Sequence, residues 1–284
     1  MVRAGIFVFY DKEGIADRYV EYLLGDLKMN IDYLYVVVNG AITENSKKIL
    51  KKYADCLYCR ENTGFDAGAY KDVIFDVVGI EKRKQFDELV LCNDTFYGPF
   101  VPFQYIFEKM KRVNADFWGL KYIQMSFFSH IGAFFWVFRS AILKSGDFTN
   151  FFYKHIESDT CDRTRVVAVF EMGLFKHLIE KGYKYAAYGC TKNYHPNKSA
   201  NFSLREENVP ILKKKALDPK YLLSENNVMD ALQQVPTSYD INLILENANR
   251  LYGMSYSESD IKNYTVIEKE LIKCRFPMTK VSEK

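Results

Sequence analysis

Tyr33-Leu34-Tyr35-Val36-Val37-Val38 is an unbroken apolar run closed by Asn39-Gly40. A strand with one wet face alternates apolar and polar side chains, whereas a strand covered on both faces is continuously apolar. This run therefore implies a parallel sheet with helices packed on both sides. The flanking segments supply the β and α alternation that such a sheet needs. Gly5 to Tyr10 has a strand pattern, followed by an amphipathic helix carrying Ile15, Tyr19, Leu23 and Leu27. Ser46 to Tyr53 is helical in pattern, Cys56 to Cys59 returns to the sheet, and Ala67 to Val78 forms the next helix. Glu88 to Cys92 is a further apolar strand. Past Pro99 and Pro102 come a helix over Tyr105 to Met110, a strand over Asp116 to Leu120 and a fully buried strand over Ala133 to Phe138. The polar stretch from Ser158 to Arg165 is expected to be a mobile loop near the active face. The helix behind it, about Arg165 to Lys181, sets Val166, Phe170, Gly173, Leu174 and His177 on one side.

Two turns stand where an open α/β sheet holds its ligand, beyond the carboxyl ends of strands. In Glu61-Asn62-Thr63-Gly64-Phe65-Asp66-Ala67-Gly68, Asn62 and Asp66 can hydrogen-bond a base or ribose, and Gly64 and Gly68 let backbone approach a ligand closely. The following helix would present free N–H groups and a positive dipole end to an anion. In Cys92-Asn93-Asp94-Thr95-Phe96-Tyr97-Gly98-Pro99, a carboxylate at a strand end suits Mg2+ or Mn2+ carrying a pyrophosphate. Asn, Asp and Gly are also ordinary turn formers, so the combination of the two turns carries the argument.

At 284 residues and 48% hydrophobic content the chain suffices for one large α/β domain with an appendage. No apolar stretch reaches the roughly 18 to 20 residues that cross a bilayer. Met1-Val2-Arg3-Ala4-Gly5 runs straight into a strand pattern without a signal-peptide layout, so a cytoplasmic protein is expected. A net charge of +3 is too mild for a nucleic-acid partner. Cys56-Leu57-Tyr58-Cys59 has the spacing of a zinc or redox motif, but in a strand its two cysteines face opposite sides and no second such pair exists; a structural role is expected.

The series Phe7-Val8-Phe9-Tyr10, Val36-Val37-Val38-Asn39-Gly40, Glu61 to Tyr70 and Leu91-Cys92-Asn93-Asp94-Thr95-Phe96-Tyr97-Gly98-Pro99 resembles the rhamnan synthesis protein F family, which is similar in turn to GT-A glycosyltransferases. The likeness continues through Ser129-His130-Ile131-Gly132, Phe170-Glu171, Gly182-Tyr183 and Val209-Pro210-Ile211-Leu212-Lys213, covering most of residues 4 to 215. It implies an α/β, GT-A Rossmann-like sheet of nucleotide-diphospho-sugar transferase type over residues 1–215, with a helical extension over 216–284. The activity implied is sugar transfer, plausibly of rhamnose from dTDP-rhamnose, from a nucleotide sugar to a growing cell-surface polysaccharide or lipid-linked glycan. Asp94 would bind Mg2+ or Mn2+ with Asn93 in support, and Asn39, Asn62, Gly64 and Asp66 would position the nucleotide. Glu171 falls where inverting members place the base, His130 lies near a sugar, and His195 lies where some relatives provide a late metal or phosphate contact. Two departures bear on this: Val38-Asn39-Gly40 replaces an acidic base-reading element, and Asn93-Asp94-Thr95 replaces two aspartates around one residue.

Beyond Lys213-Lys214-Lys215, Ser238 is expected to cap a helix bearing Ile241, Ile244, Leu245, Ala248, Leu251 and Tyr252. That stripe must pack on the catalytic body, on a second copy in a homo-oligomer, or peripherally on the membrane holding a lipid-linked acceptor, an option the basic triplet favours. A tail from Phe276 onward is polar. Two non-enzymatic classes stay open: a nucleotide-sugar or glycan-binding subunit, and a scaffold in a polysaccharide assembly complex.

Overall fold

The computed structural model of the chain describes residues 1–124, 129–192, 209–220 and 225–263. His195 and the tail from Phe276 lie outside them. In chain order, β1 (Arg3–Phe9), α1 (Arg18–Lys28), β2 (Tyr33–Asn39), α2 (Glu44–Tyr53) and β3 (Cys56–Arg60) open the fold. Next, α3 (Phe65–Asp72) passes into a π-helical stretch, Val73–Val78, and a short α4 (Ile80–Arg83), then β4 (Glu88–Asn93) and β5 (Phe96–Tyr97). After α5 (Phe103–Lys111) come β6 (Phe117–Gln124), β7 (His130–Ile131), β8 (Phe135–Arg139), α6 (Ser140–Lys144) and α7 (Gly146–His155). A helical run follows, α8 (Arg163–Val166), a π-helical stretch Val167–Gly173 and α9 (Leu174–Glu180), and leads to β9 (Tyr185–Lys192). The last described elements are β10 (Leu212–Lys213), a 3-10 turn Lys214–Leu217, α10 (Glu225–Gln233) and α11 (Asn242–Tyr252).

The main sheet has the order β3-β2-β1-β4-β8-β6-β7, with β9 also paired to β6. Strands β1 to β4 are mutually parallel, Phe7 standing opposite Val36 on one side and Cys92 on the other. The mixed half departs from the parallel sheet expected of alternating β and α segments: β8 is antiparallel to both β4 and β6. The chain returns from β6 through β7 to β8 without a crossover helix, and a direct return of this kind pairs antiparallel.

Alternate residues of each central strand feed two cores, as a doubly covered sheet requires. Phe7, Phe9, Val36, Val38, Val90, Cys92, Phe135 and Val137 face α1 and α5 with Leu23, Leu27, Phe103 and Phe107. Ile6, Val8, Val37, Leu89, Leu91, Trp136 and Phe138 face the other layer with Ile74, Phe148, Phe152, Phe170 and Leu174. Helix α2 begins at Glu44, two residues ahead of the expected Ser46, because the Thr43 hydroxyl accepts from the Ser46 amide at 3.2 Å.

The apolar stripe of α11 packs on the body that carries the main sheet. Ile244, Leu245 and Ala248 are buried in the same cluster as Val20, Leu23 and Tyr97. Its N-cap position is Ile241 rather than Ser238, and just ahead of it the Asp240 carboxylate accepts from the Asn242 amide at 3.0 Å. Arg250 ties α11 to the loop after β1 through Asp11 (2.6 Å), Glu13 (2.8 Å) and Asp17 (2.8 Å). Among the described residues, no helix is long and apolar enough to cross a membrane.

Candidate active site

The glycine-containing turn after β3 is locally strained. Gly64 and Phe65 adopt φ of 58° and 53°, and the left-handed region is costly for an aromatic residue. Neighbouring groups hold it. The Asn39 amide donates to the Phe65 carbonyl (3.0 Å), and Arg60 Nη1 donates to Asn39 Oδ1 (3.0 Å) and the Thr63 carbonyl (2.7 Å). Arg60 also donates to Asp72 (2.7 Å) and to the Ser158 carbonyl (2.9 Å). Asn39, expected at the nucleotide, thus has both ends of its amide committed to positioning this turn.

The space left by the glycines is filled by the chain itself. A Cβ on Gly64 would lie 2.6 Å from the Glu157 carbonyl oxygen, and one on Gly68 would lie 3.1 Å from Ser158 Cα. The Gly64 amide donates to Thr160 O and the Thr63 hydroxyl to Ser158 O. The polar stretch expected as a mobile loop is therefore clamped onto the turn over its first residues. Asn62 sits apart from this clamp, half-buried, with its Cβ and the Tyr10 ring each 3.8 Å from where a Gly40 Cβ would stand.

The second turn carries the charge. Asp66 accepts from its neighbour's amide at Ala67 (3.0 Å) and from Asn93 Nδ2 (3.0 Å), which joins the two turns. Asn93 Oδ1 in turn accepts from the Thr95 hydroxyl at 2.6 Å. Asp94 is 4% exposed, and its Oδ2 accepts from Tyr19 (3.1 Å) and from the Lys214 ammonium (3.0 Å). Lys213 reaches the same place: its ammonium donates to the Thr95 hydroxyl (2.5 Å) and stands 4.3 Å from the centre of the Phe134 ring. Lys213 is delivered by β10, which pairs antiparallel with β5 so that it lies opposite Phe96, and Lys214 opens the 3-10 turn that follows.

Glu171 comes from the π-helical stretch between α8 and α9, a wider helical turn that recurs at functional sites. Its Oε1 accepts from the Ala133 amide at 3.1 Å and lies 3.5 Å from His130 Nε2. The carboxylate side chain stays 26% exposed. Burial raises the Glu171 pKa, but His130 and the Ala133 amide outweigh it and hold the group below its ordinary value, with Lys213 adding to the pull. Asp66 moves the other way, raised chiefly by burial and also by the Glu171 charge, against the lowering hydrogen bond from Asn93. Burial brings the Lys213 ammonium down to about 7, against the opposing fields of Glu171, Asp66 and Asp94.

The structure thus gathers Asp66, Asn93, Asp94, Glu171 and His130 around Lys213, while Asn62 stands by Gly40 and His195 lies outside the described residues. Sequence reasoning missed Arg60, Tyr19, Thr95, Lys213 and Lys214. The basic triplet was visible, and membrane attraction was the role assigned to it; Lys213 and Lys214 instead face the strand ends.

A divalent cation does not fit the residues gathered here. Asp94, its expected ligand, is already ion-paired to Lys214, and a second ammonium stands at Thr95. Among the described residues no group of three or more His, Cys, Asp or Glu comes together in a way that could hold a metal ion. That includes Cys56 and Cys59, which are free thiols.

A family model described as rhamnan synthesis protein F matches residues 34–277. The virulence protein VirA of Vibrio anguillarum is 27% identical over 188 residues, covering 63% of this chain and 57% of VirA. The chain therefore spans little more than half the length of that curated relative. Among solved structures, TarS 1-349 of S. aureus aligns over 100% of this chain and 95% of its own at 15% identity and a TM-score of 0.39. Glucosyl-3-phosphoglycerate synthase from Mycobacterium tuberculosis, in complex with Mn2+, uridine diphosphate and phosphoglyceric acid, aligns over 51% and 57% at 9% identity and a TM-score of 0.34. The two structural likenesses stand as similarities and carry no further argument.

Proposed function

The chain belongs to the rhamnan synthesis protein F family, and from that premise we propose that it is a GT-A-type glycosyltransferase acting on a growing cell-surface polysaccharide or lipid-linked glycan. The donor is a nucleotide sugar; rhamnose from dTDP-rhamnose is the choice that the family's name suggests. One observation carries the reading. An ionised carboxylate, Glu171, is fixed by His130 and a backbone amide in the same centre as Lys213 and Lys214.

Such a centre suits a single displacement that inverts the anomeric carbon. Glu171 takes the proton of the acceptor hydroxyl as its oxygen attacks, and His130 steadies the carboxylate. The bond from the anomeric carbon to the diphosphate oxygen breaks at the same time, its electron pair leaving with the nucleoside diphosphate. Asn62 and the Tyr10 ring, grouped at Gly40, offer an amide and an aromatic face to the nucleoside. No step is assigned to Mg2+ or Mn2+, because the residues do not fit one.

Glu171→Gln keeps the size and hydrogen-bonding reach of the side chain but cannot accept the proton. Its transfer rate should fall by about 10²- to 10⁴-fold while nucleotide binding is retained. The check is sugar transfer to a polysaccharide acceptor, assayed with dTDP-, UDP- and GDP-linked sugars beside calorimetric binding of the same donors. Wild-type transfer by Glu171→Gln would remove the reading, and donor binding without transfer by the wild type would favour a binding subunit instead.

A further inference from the structure

Breaking the sugar–diphosphate bond leaves negative charge on the departing oxygen, and the site must answer it with positive charge held in place beforehand. Among the described residues gathered at Asp94, two ammonium groups on consecutive residues are so placed. Lys214 Nζ has three N–H donors, of which one goes to Asp94 (3.0 Å) and one to the Tyr19 hydroxyl (2.8 Å). Lys213 Nζ is held at Thr95 and over the Phe134 ring. Their backbone is fixed by the β5–β10 pairing and by the bond from the Lys214 amide to the Thr95 carbonyl (3.0 Å), so little ordering remains for the moment of reaction.

We propose that Lys213 and Lys214 bind the donor's diphosphate and take up the charge of the leaving group, in place of a divalent metal ion. This rests on the glycosyltransferase reading above and states how that site handles its diphosphate. The acceptor oxygen forms the new bond to the anomeric carbon, the proton goes to Glu171, and the electron pair of the broken bond stays on the diphosphate oxygen, where the lysine N–H groups receive it. No further reactant is needed.

The test is calorimetric binding of UDP, GDP and dTDP, and of the three nucleosides, to the full chain in EDTA and then with Mg2+ or Mn2+. The diphosphate that binds the wild type should bind equally well in EDTA. Lys213→Met and Lys214→Met should each weaken that diphosphate by about tenfold or more, while leaving the nucleoside unaffected, since charge-assisted bonds to phosphate are lost. Lys214→Met leaves Asp94 without its cation, so the double variant Asp94→Asn/Lys214→Met removes both charges and should show the same selective loss in a folded protein. Diphosphate binding that requires the metal, or lysine variants that bind it like the wild type, would overturn the proposal and leave the glycosyltransferase reading standing. Absence of binding by every nucleotide, with and without metal, would overturn both.

Discussion

Asp66 and Glu171 share one centre and are pushed in opposite directions. Burial dominates at Asp66, which has Asn93 and one amide as partners, whereas at Glu171 the His130 and Ala133 contacts outweigh burial. Environments that separate two carboxylates in this way assign them different roles: the one held ionised is the base. The acid limb of the pH–rate profile for transfer should accordingly lie below the ordinary glutamate value of 4.5; a limb well above that pH would exclude Glu171. Lys213 makes a second prediction. A lysine whose folded-state pKa sits near 7, below its ordinary 10.5, contributes stability that is present above 10.5 and lost as pH falls toward 7. Lys213→Met lacks that loss, so its denaturant midpoint should gain on the wild type as pH is lowered through this window in the absence of ligand. A constant difference across the window would count against a neutral-leaning lysine. Neither shift was legible in the sequence, because each depends on which groups the fold sets around the side chain.

The elements were easier to read than their partners. Continuous runs such as Tyr33 to Val38 and Glu88 to Cys92 announced buried strands, since only coverage on both faces tolerates such composition. The run ending at Phe138 looked the same, yet its antiparallel direction follows from a return beside β6 that no local pattern records. Gly64 and Gly68 were recognisable as places of close approach, but the approaching group proved to be the backbone at 157–158. This gives a contrast between two glycines. Gly64→Ala meets both a positive φ and the Glu157 carbonyl oxygen, whereas Gly253, also left-handed at φ 65°, has nothing within 4 Å of an added Cβ. Gly253→Ala should cost about 1 kcal/mol from backbone strain alone, and Gly64→Ala about 1–3 kcal/mol more. Urea midpoints of the two variants measure the difference; equal losses would mean that the 157–160 segment is not clamped on the turn.

At the scale of the molecule, the described C-terminal helices belong to the same core as the first strands, and Arg250 is the polar counterpart of that packing. It faces Asp11 and Asp17, which are 4% and 15% exposed, so Arg250→Ala would strand carboxylates that water reaches poorly. A loss of about 3 kcal/mol is expected, measured by denaturant unfolding at neutral pH; a loss within the scatter of exposed ion pairs would show the strap to be incidental. The sequence displayed the stripe on α11 but not the surface it covers, since burial against residues more than two hundred positions away leaves no local trace.

The pairing of β10 with β5 also orders events in time. By Lys192 a chain leaving the ribosome has every strand of the main sheet, together with Asp94, His130 and Glu171, yet neither ammonium at the strand ends. If the two lysines hold the diphosphate, a nascent or prematurely ended chain carries a completed sheet that cannot engage its donor, and competence arrives in one step when the late strand β10 docks on β5.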